Sequence, residues 1–286
     1  MGLNGTQRVF TDVNPRFQRL ALLTGVEALE AYAQTKVMIF GVGGVGSWCA
    51  EALVRSGIGK LSIVDSDRIC VTNINRQVQA TSSTVGQSKV EVLKSRLLEI
   101  NPRCQVEAFG RVFSRATSAL FTVEEADYII DAIDSLTYKL DLIETVTQRG
   151  IRLYASMGMA QKLDPTQLRT ADIWETQGCP LARLVRSGLR KRGFQGHFTV
   201  VYSAERLPLY TGIPVSCGSA QCLCPRQTCS EDEAVEWCTS KKVINGSAVP
   251  VTAVAGMILA SLVIRDIYAR YTLEPEPEDP SEGVVL

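Results

Sequence analysis

From Lys36 onward, short runs of β-branched and aliphatic residues alternate with amphipathic stretches, the rhythm of strand–helix–strand units around a mostly parallel sheet. Lys36–Phe40 reads as a buried strand, Val45–Ser56 as a helix, and Leu61–Val64 as the next strand, ending at Asp65. A helix is predicted over 86–100, where Val90, Leu93, Leu97 and Ile100 share one face and Asn101-Pro102 ends it. Strands over 106–109, 128–133 and 151–155, with a helix over 136–148, continue the pattern. Beyond Ser156 the rhythm changes. Strands are predicted over 167–173 and 198–202, a basic amphipathic helix over 181–191, an irregular stretch over 204–246 and a final helix over 251–271. The fold class is α/β, a Rossmann-like, mostly parallel sheet flanked by helices, with the later strands and the last helix completing it. One domain over 1–271 is expected, with halves at about 16–155 and 156–271, followed by an acidic tail over 272–286 whose carboxylates and prolines predict disorder.

Composition narrows the functions open to this fold. Thirty Lys+Arg balance thirty Asp+Glu in 286 residues, so global charge does not drive nucleic-acid binding, and only a local basic strip would. His197 is the single histidine, which excludes a multi-imidazole metal site. Nine cysteines are an odd number for a disulfide framework, and no signal peptide is recognised, so a reducing, cytoplasmic setting is expected. The apolar run 248–264 falls short of a membrane span and contains Pro250 and Gly256; it reads as a buried core helix, with no membrane partner. The first six residues match a myristoylation pattern of little specificity, which is set aside.

Gly41-Val42-Gly43-Gly44-Val45-Gly46 follows a strand and opens a helix, where backbone N–H groups and a helix N-terminus face phosphate. Asp65 ends the second strand, placed to accept hydrogen bonds from a ribose. Asp67, Asn73, Arg76 and Lys89 follow, and Asp131 and Asp134 stand at the end of the strand 128–133. Cations for a polyphosphate and a carboxylate for Mg²⁺ form a phosphate-chemistry set that hydride transfer does not need. Taken singly, Arg76 and Lys89 also fit solvated helix-start residues, and Asp134 a helix N-cap.

The ordered set Gly41–Gly46, Asp65-Ser-Asp67, Asn73-Ile-Asn-Arg-Gln77, Gly86-Gln-Ser-Lys89, Asn101-Pro102 and Asp131-Ala-Ile-Asp134 resembles the adenylating superfamily of ubiquitin-activating enzymes and the thiamine and molybdopterin adenylyltransferases. Within it, Gly46-Ser-Trp48, Asp164-Pro-Thr166, Cys179-Pro-Leu-Ala-Arg183 and Val201-Tyr-Ser-Ala-Glu205 resemble the tRNA threonylcarbamoyladenosine dehydratase branch. The resemblance implies an adenylating-enzyme fold and ATP with Mg²⁺ as cofactors. It implies that Gly41, Gly43, Gly44 and Gly46 bring backbone against phosphate and that Asp65 holds the ribose, with Asp67 and Asn73 in the same nucleotide site. Arg76 and Lys89 would neutralise the β- and γ-phosphates, and Asp134 would bind Mg²⁺. It further implies that Arg19 reaches the ATP of a partner subunit in a homodimer, and that the activity is ATP-dependent cyclisation of the modified adenosine through an acyl-adenylate.

Two features lie outside that set. On the predicted helix 181–191, Leu181, Leu184, Val185 and Leu189 mark an apolar face, while Arg183, Arg186, Arg190, Lys191 and Arg192 form a basic strip suited to tRNA phosphates. Cys217, Cys222, Cys224, Cys229 and Cys238 cluster in the irregular stretch without paired C-x2-C knuckles. Zinc at Cys222, Cys224, Cys229 and Cys238, a sulfur-carrying cysteine served by a cysteine desulfurase or sulfur-acceptor partner, and unliganded thiols all stand as readings. Cys179 is a further sulfur candidate. The alternative activity is an adenylyltransferase acting on the C-terminal glycine of a ubiquitin-like sulfur carrier. An NAD-dependent oxidoreductase and a non-catalytic nucleotide scaffold are the other classes considered.

Overall fold

The structure, a computed structural model, describes residues 13–205 and 245–272. Seven strands, β1 (Lys36–Phe40), β2 (Lys60–Val64), β3 (Gln105–Phe109), β4 (Tyr128–Asp131), β5 (Arg152–Ser156), β6 (Leu168–Asp172) and β7 (Thr199–Ser203), form one sheet in the order β3-β2-β1-β4-β5-β7-β6. All neighbours are parallel except β6 and β7. The mostly parallel sheet expected from the sequence is therefore present.

A strand covered on both faces reads as an unbroken apolar run, and β1 illustrates why. Val37 and Ile39 enter one core while Met38 and Phe40 enter the other. The first core is closed by α1 (Gln18–Thr24), α2 (Val26–Gln34), α3 (Gly46–Arg55), α4 (Lys89–Ile100) and α7 (Val249–Thr272), through residues such as Tyr32, Leu53, Leu93 and Val263. The second is closed by α5 (Leu136–Gln148) and α6 (Pro180–Lys191), through Leu142, Val146 and Val185.

By length and composition α7 would suffice to cross a membrane, since the helix continues past the apolar run to a length of 24 residues. It packs instead as the core helix expected, burying Val251, Ala255, Leu259, Val263 and Ile267. Gly256 permits its close crossing over α3, because a Cβ there would lie 2.4 Å from the Val45 carbonyl oxygen.

Three expectations are corrected. α4 begins at Lys89 rather than residue 86, because Gly86 adopts φ +87° and 86–87 bond back to Ile69 at 2.8 and 2.9 Å. β4 stops at Asp131, after which the chain turns across Gly41. On α6 the inward face is Ala182, Val185 and Leu189, whereas Leu184 is 48% exposed.

Strand order reverses at β1, whose neighbours are β2 and β4. A parallel sheet opens a ligand crevice beyond the strand ends at such a point.

Candidate active site

The turn 41–46 leaves β1 into that crevice, and its glycines are required for different reasons. Gly41 has φ +88°, and a Cβ on it would meet the Ala132 carbonyl oxygen at 2.7 Å; one on Gly46 would meet the Gly41 oxygen at 1.9 Å. The fold itself demands both. At Gly43 the nearest such neighbour among the described residues is Gln77 Nε2 at 3.9 Å, so their packing leaves room for Ala. A cradle that a Cβ would partly fill suits a phosphate approached by backbone. Gly44 lies against the Arg76 side chain, 3.2 Å from a hypothetical Cβ, and against Thr252 at the start of α7.

Asp65 at the end of β2 accepts from the Val42 N–H at 2.9 Å through Oδ2 and from the Asp67 N–H at 2.9 Å through Oδ1. Gln79 Nε2 supports the turn from behind, donating to the Val42 oxygen at 2.9 Å. Lys89, buried at the start of α4, donates to Asp67 Oδ2 at 2.6 Å and stands 3.8 Å from Asp65 Oδ1. Burial pushes the Asp65 carboxyl up, against the opposing charge of Lys89. Burial also disfavours the Lys89 charge, but Asp65 and Asp67 outweigh it, so its pKa lies above the ordinary lysine value. Lys89 is thus a buried, charged ammonium and not a solvated helix-start residue.

Arg76 closes the other side of the crevice. Its Nη1 donates to the Thr72 oxygen at 2.8 Å and to Asn75 Oδ1 at 3.0 Å, while Trp48 Nε1 donates to its carbonyl at 3.0 Å. Burial pulls its pKa down, opposed by Asp134 and Cys70. Asp134 therefore acts electrostatically on both Arg76 and Lys89. It is exposed, and Ser135 rather than Asp134 occupies the N-cap of α5. Asn73 is buried and accepts from the Cys70 N–H at 3.0 Å, so it shapes the turn carrying Arg76.

The crevice thus gathers the glycine turn, Asp65, Asp67, Arg76, Lys89 and Asp134. Two other residues stand apart. Asp131, at the same strand end as Asp134 and a candidate for the same site by sequence, does not face the crevice: it is fully buried, with Lys139 Nζ 2.7 Å from its Oδ2. Arg19 is exposed on α1 and forms no hydrogen bond or ion pair with this set.

The basic strip on α6 is also revised. Arg186 donates to the Thr176 oxygen at 2.9 Å and to its hydroxyl. Arg190 lies 5.3 Å above the Trp174 ring, and Arg192 Nη1 pairs with Asp141 and Glu144 at 2.8 Å each. Exposed Arg183 and Lys191 have no such partner among the described residues. Cys179 is buried at the start of α6. The five clustered cysteines and the acidic tail lie outside the described residues.

Sequence reasoning missed Gln79, Thr252 and Lys139, and gave Trp48 no role beyond its place in the Gly46-Ser-Trp48 motif. The available signal for Lys139 was its place in the row Lys139, Leu142, Ile143 and Val146, where a lysine breaks an apolar face.

Chemically, two buried or half-buried cations opposite an exposed carboxylate suit a polyphosphate with a divalent cation. One carboxylate completed by phosphate oxygens is an ordinary Mg²⁺ donor set.

Comparison with known proteins follows the same lines. The ThiF family model matches residues 17–280. The chain is 39% identical over 252 residues to the tRNA threonylcarbamoyladenosine dehydratase of Bacillus subtilis, covering 88% of this chain and 94% of that relative. Its fold is similar to crystal structures of the Escherichia coli tRNA N6-threonylcarbamoyladenosine dehydratase at 32% identity. The complex with ATP gives a TM-score of 0.75, covering 91% of this chain and 96% of that one. The complex with AMP gives 0.74, covering 90% and 95%.

Proposed function

The chain belongs to the ThiF family, and from that premise we propose that it dehydrates threonylcarbamoyladenosine in tRNA with consumption of ATP. The observation that carries this reading is the 39% match over 88% of the chain and 94% of a dehydratase. It runs through both halves, whereas the sulfur-carrier adenylyltransferase of Thermus thermophilus matches over 42% of the chain.

The chemistry follows from the substrate. A carboxylate is a poor electrophile because its leaving group would be oxide. Attack of the threonyl carboxylate on the α-phosphorus of ATP expels pyrophosphate and leaves an acyl-adenylate. The ureido group of the same side chain then attacks the activated carbonyl, closes a five-membered ring and releases AMP. The oxygen lost as formal water departs in AMP. An intramolecular closure needs no protein nucleophile.

In this reading Asp65 takes the ribose, and the backbone of Gly41, Gly43, Gly44 and Gly46 lies along the phosphates, with Asp67 and Asn73 bordering them. Arg76 and Lys89 neutralise the β- and γ-phosphates. Negative charge grows on pyrophosphate as it leaves, so fixed cations favour the transition state over the ground state. Asp134 would hold Mg²⁺, which supplies further positive charge at the leaving group when bound. For Lys89 to serve ATP, phosphate oxygens must share it with Asp67, its 2.6 Å partner.

The active form is a homodimer in which Arg19 approaches the partner subunit's ATP. Support comes from its surroundings: Leu22 and Leu23 on the same short helix are 69% and 76% exposed, apolar area that a second copy would cover. Arg183 and Lys191 offer charge to tRNA phosphates, and the setting is cytoplasmic. The test is ATP–pyrophosphate exchange. It should appear with threonylcarbamoylated tRNA and stay at background with unmodified tRNA; exchange stimulated only by a small carrier protein would replace this reading with adenylyl transfer to protein.

A further inference from the structure

Asp131 and Lys139 form an ion pair whose side chains are both 0% exposed. Burying two ions is rarely favourable compared with apolar residues of similar volume. Its partners explain its position. Asp131 ends β4 and Lys139 lies in α5; Lys139 Nζ donates to Asp131 Oδ2 at 2.7 Å and to the Ser156 oxygen, at the end of β5, at 3.1 Å. The other carboxylate oxygen of Asp131 accepts from the Ile133 N–H at 3.0 Å. One pair thus fastens β4, β5 and α5 to the turn 132–135.

That turn forms one wall of the crevice. Ala132 donates to the Phe40 oxygen at 2.8 Å, and its carbonyl oxygen lies 2.7 Å from where a Cβ on Gly41 would stand. The next residue but one is Asp134. Rotation of the Asp131 carboxylate would release the Ile133 N–H and let the turn move relative to the glycine turn.

We propose that Asp131 and Lys139 are positioning residues that hold the turn 132–135 so that Asp134 faces the nucleotide phosphates. This rests on the nucleotide reading above and adds the reason for a buried charge pair beside it. Neither residue touches substrate.

The test separates stability from positioning. Asp131→Leu/Lys139→Met removes both charges while keeping apolar volume, so folding should survive, but Ile133 N–H loses its acceptor. Asp131→Asn in the Lys139→Met background keeps one acceptor oxygen for Ile133, with no ammonium to compete for it, and buries an amide N–H₂ without a partner. For each variant, thermal melting and the Mg²⁺ concentration giving half-maximal binding of a fluorescent ATP analogue are measured without tRNA. Asp131→Leu/Lys139→Met should melt close to wild type yet need about tenfold or more Mg²⁺, as for other residues that support a metal ligand. Asp131→Asn/Lys139→Met should melt lower yet keep a near wild-type Mg²⁺ requirement. A Mg²⁺ requirement that follows melting temperature, unchanged in Asp131→Leu/Lys139→Met or as impaired in Asp131→Asn/Lys139→Met, overturns the proposal. Should Asp131→Leu/Lys139→Met fail to fold, Asp131→Ala/Lys139→Leu, which also removes both charges and the acceptor for Ile133, supplies the same comparison. Wild-type protein that binds no ATP analogue at any Mg²⁺ concentration would instead overturn the nucleotide reading itself.

Discussion

The backbone N–H of Val42, inside the glycine turn, donates to Asp65 Oδ2 at 2.9 Å. The carboxylate assigned to the ribose is therefore also the group that fixes the phosphate turn to the end of the neighbouring strand. Its second oxygen holds Asp67 N–H, and Asp67 holds Lys89. Turn, acid and cation are joined by one chain of hydrogen bonds, which is why nucleotide binding should respond to changes at any of them.

Gly43 and Gly46 separate ligand demand from fold demand. Among the described residues Gly43→Ala meets no packing neighbour closer than 3.9 Å, so its melting temperature should stay within about 2 °C of wild type while ATP affinity falls about tenfold or more. Gly46→Ala forces a contact of 1.9 Å with a backbone oxygen and should destabilise by at least about 1–3 kcal/mol. Calorimetry with ATP titration measures both; normal ATP binding by Gly43→Ala would remove the phosphates from this turn.

Lys89→Met leaves Asp65 and Asp67 without their shared cation. Asp67 is 36% exposed on its side chain, so the loss at neutral pH should be about 1–3 kcal/mol. The Lys89 pKa is raised in the folded state. Its contribution is therefore complete below the ordinary lysine value of about 10.4 and fades as pH rises through the folded value. Melting curves of wild type and variant should run parallel from neutral pH to about 10 and converge above it. A gap that closed at lower pH would mean that Lys89 is not held as an ammonium.

These contrasts show how much was legible. The strand Lys36–Phe40, the helix 136–148 and the set from Gly41 to Lys89 were readable because apolar periodicity, glycine geometry and charge type are local. The distinction between Asp131 and Asp134 was not: both are acids at one strand end, and only packing sends the first into the core toward Lys139. Likewise, a helical wheel displays Arg186 and Arg192 as solvated, because it contains neither Thr176 nor the carboxylates of Asp141 and Glu144 on another helix. The early start assigned to α4 followed from its apolar spacing, which cannot register the left-handed Gly86.

Asp134→Asn should melt like wild type, since the residue is exposed, and should lower turnover about 10²-fold or more. Arg19→Ala should also be inactive. If Arg19 acts across a homodimer, mixing the two variants with subunit exchange should restore about a quarter of wild-type activity, because half the dimers regain one intact site. Exchange demonstrated without recovery would place Arg19 in its own subunit's site or outside catalysis.

For α6, the partners found for Arg186 and Arg192 leave Arg183 and Lys191 as the proposed contact to tRNA phosphates. Replacing these two with Gln should leave melting unchanged and flatten the slope of log K against log salt by roughly 0.7–0.9 per lost contact. Arg192→Gln should chiefly lower stability, by removing one of the two cations, with Arg115, that pair with Asp141 and Glu144. Filter binding across a salt series reports the difference; an unchanged slope for the Arg183 and Lys191 variant would make α6 an ordinary solvated face.

The proposed dehydration can be measured directly. The protein, ATP, Mg²⁺ and threonylcarbamoylated tRNA are incubated, the tRNA is digested and the nucleosides are weighed by mass spectrometry. The modified adenosine should lose the mass of one water, with one AMP and one pyrophosphate formed for each nucleoside converted. An unchanged nucleoside mass in the presence of protein that binds ATP would contradict it.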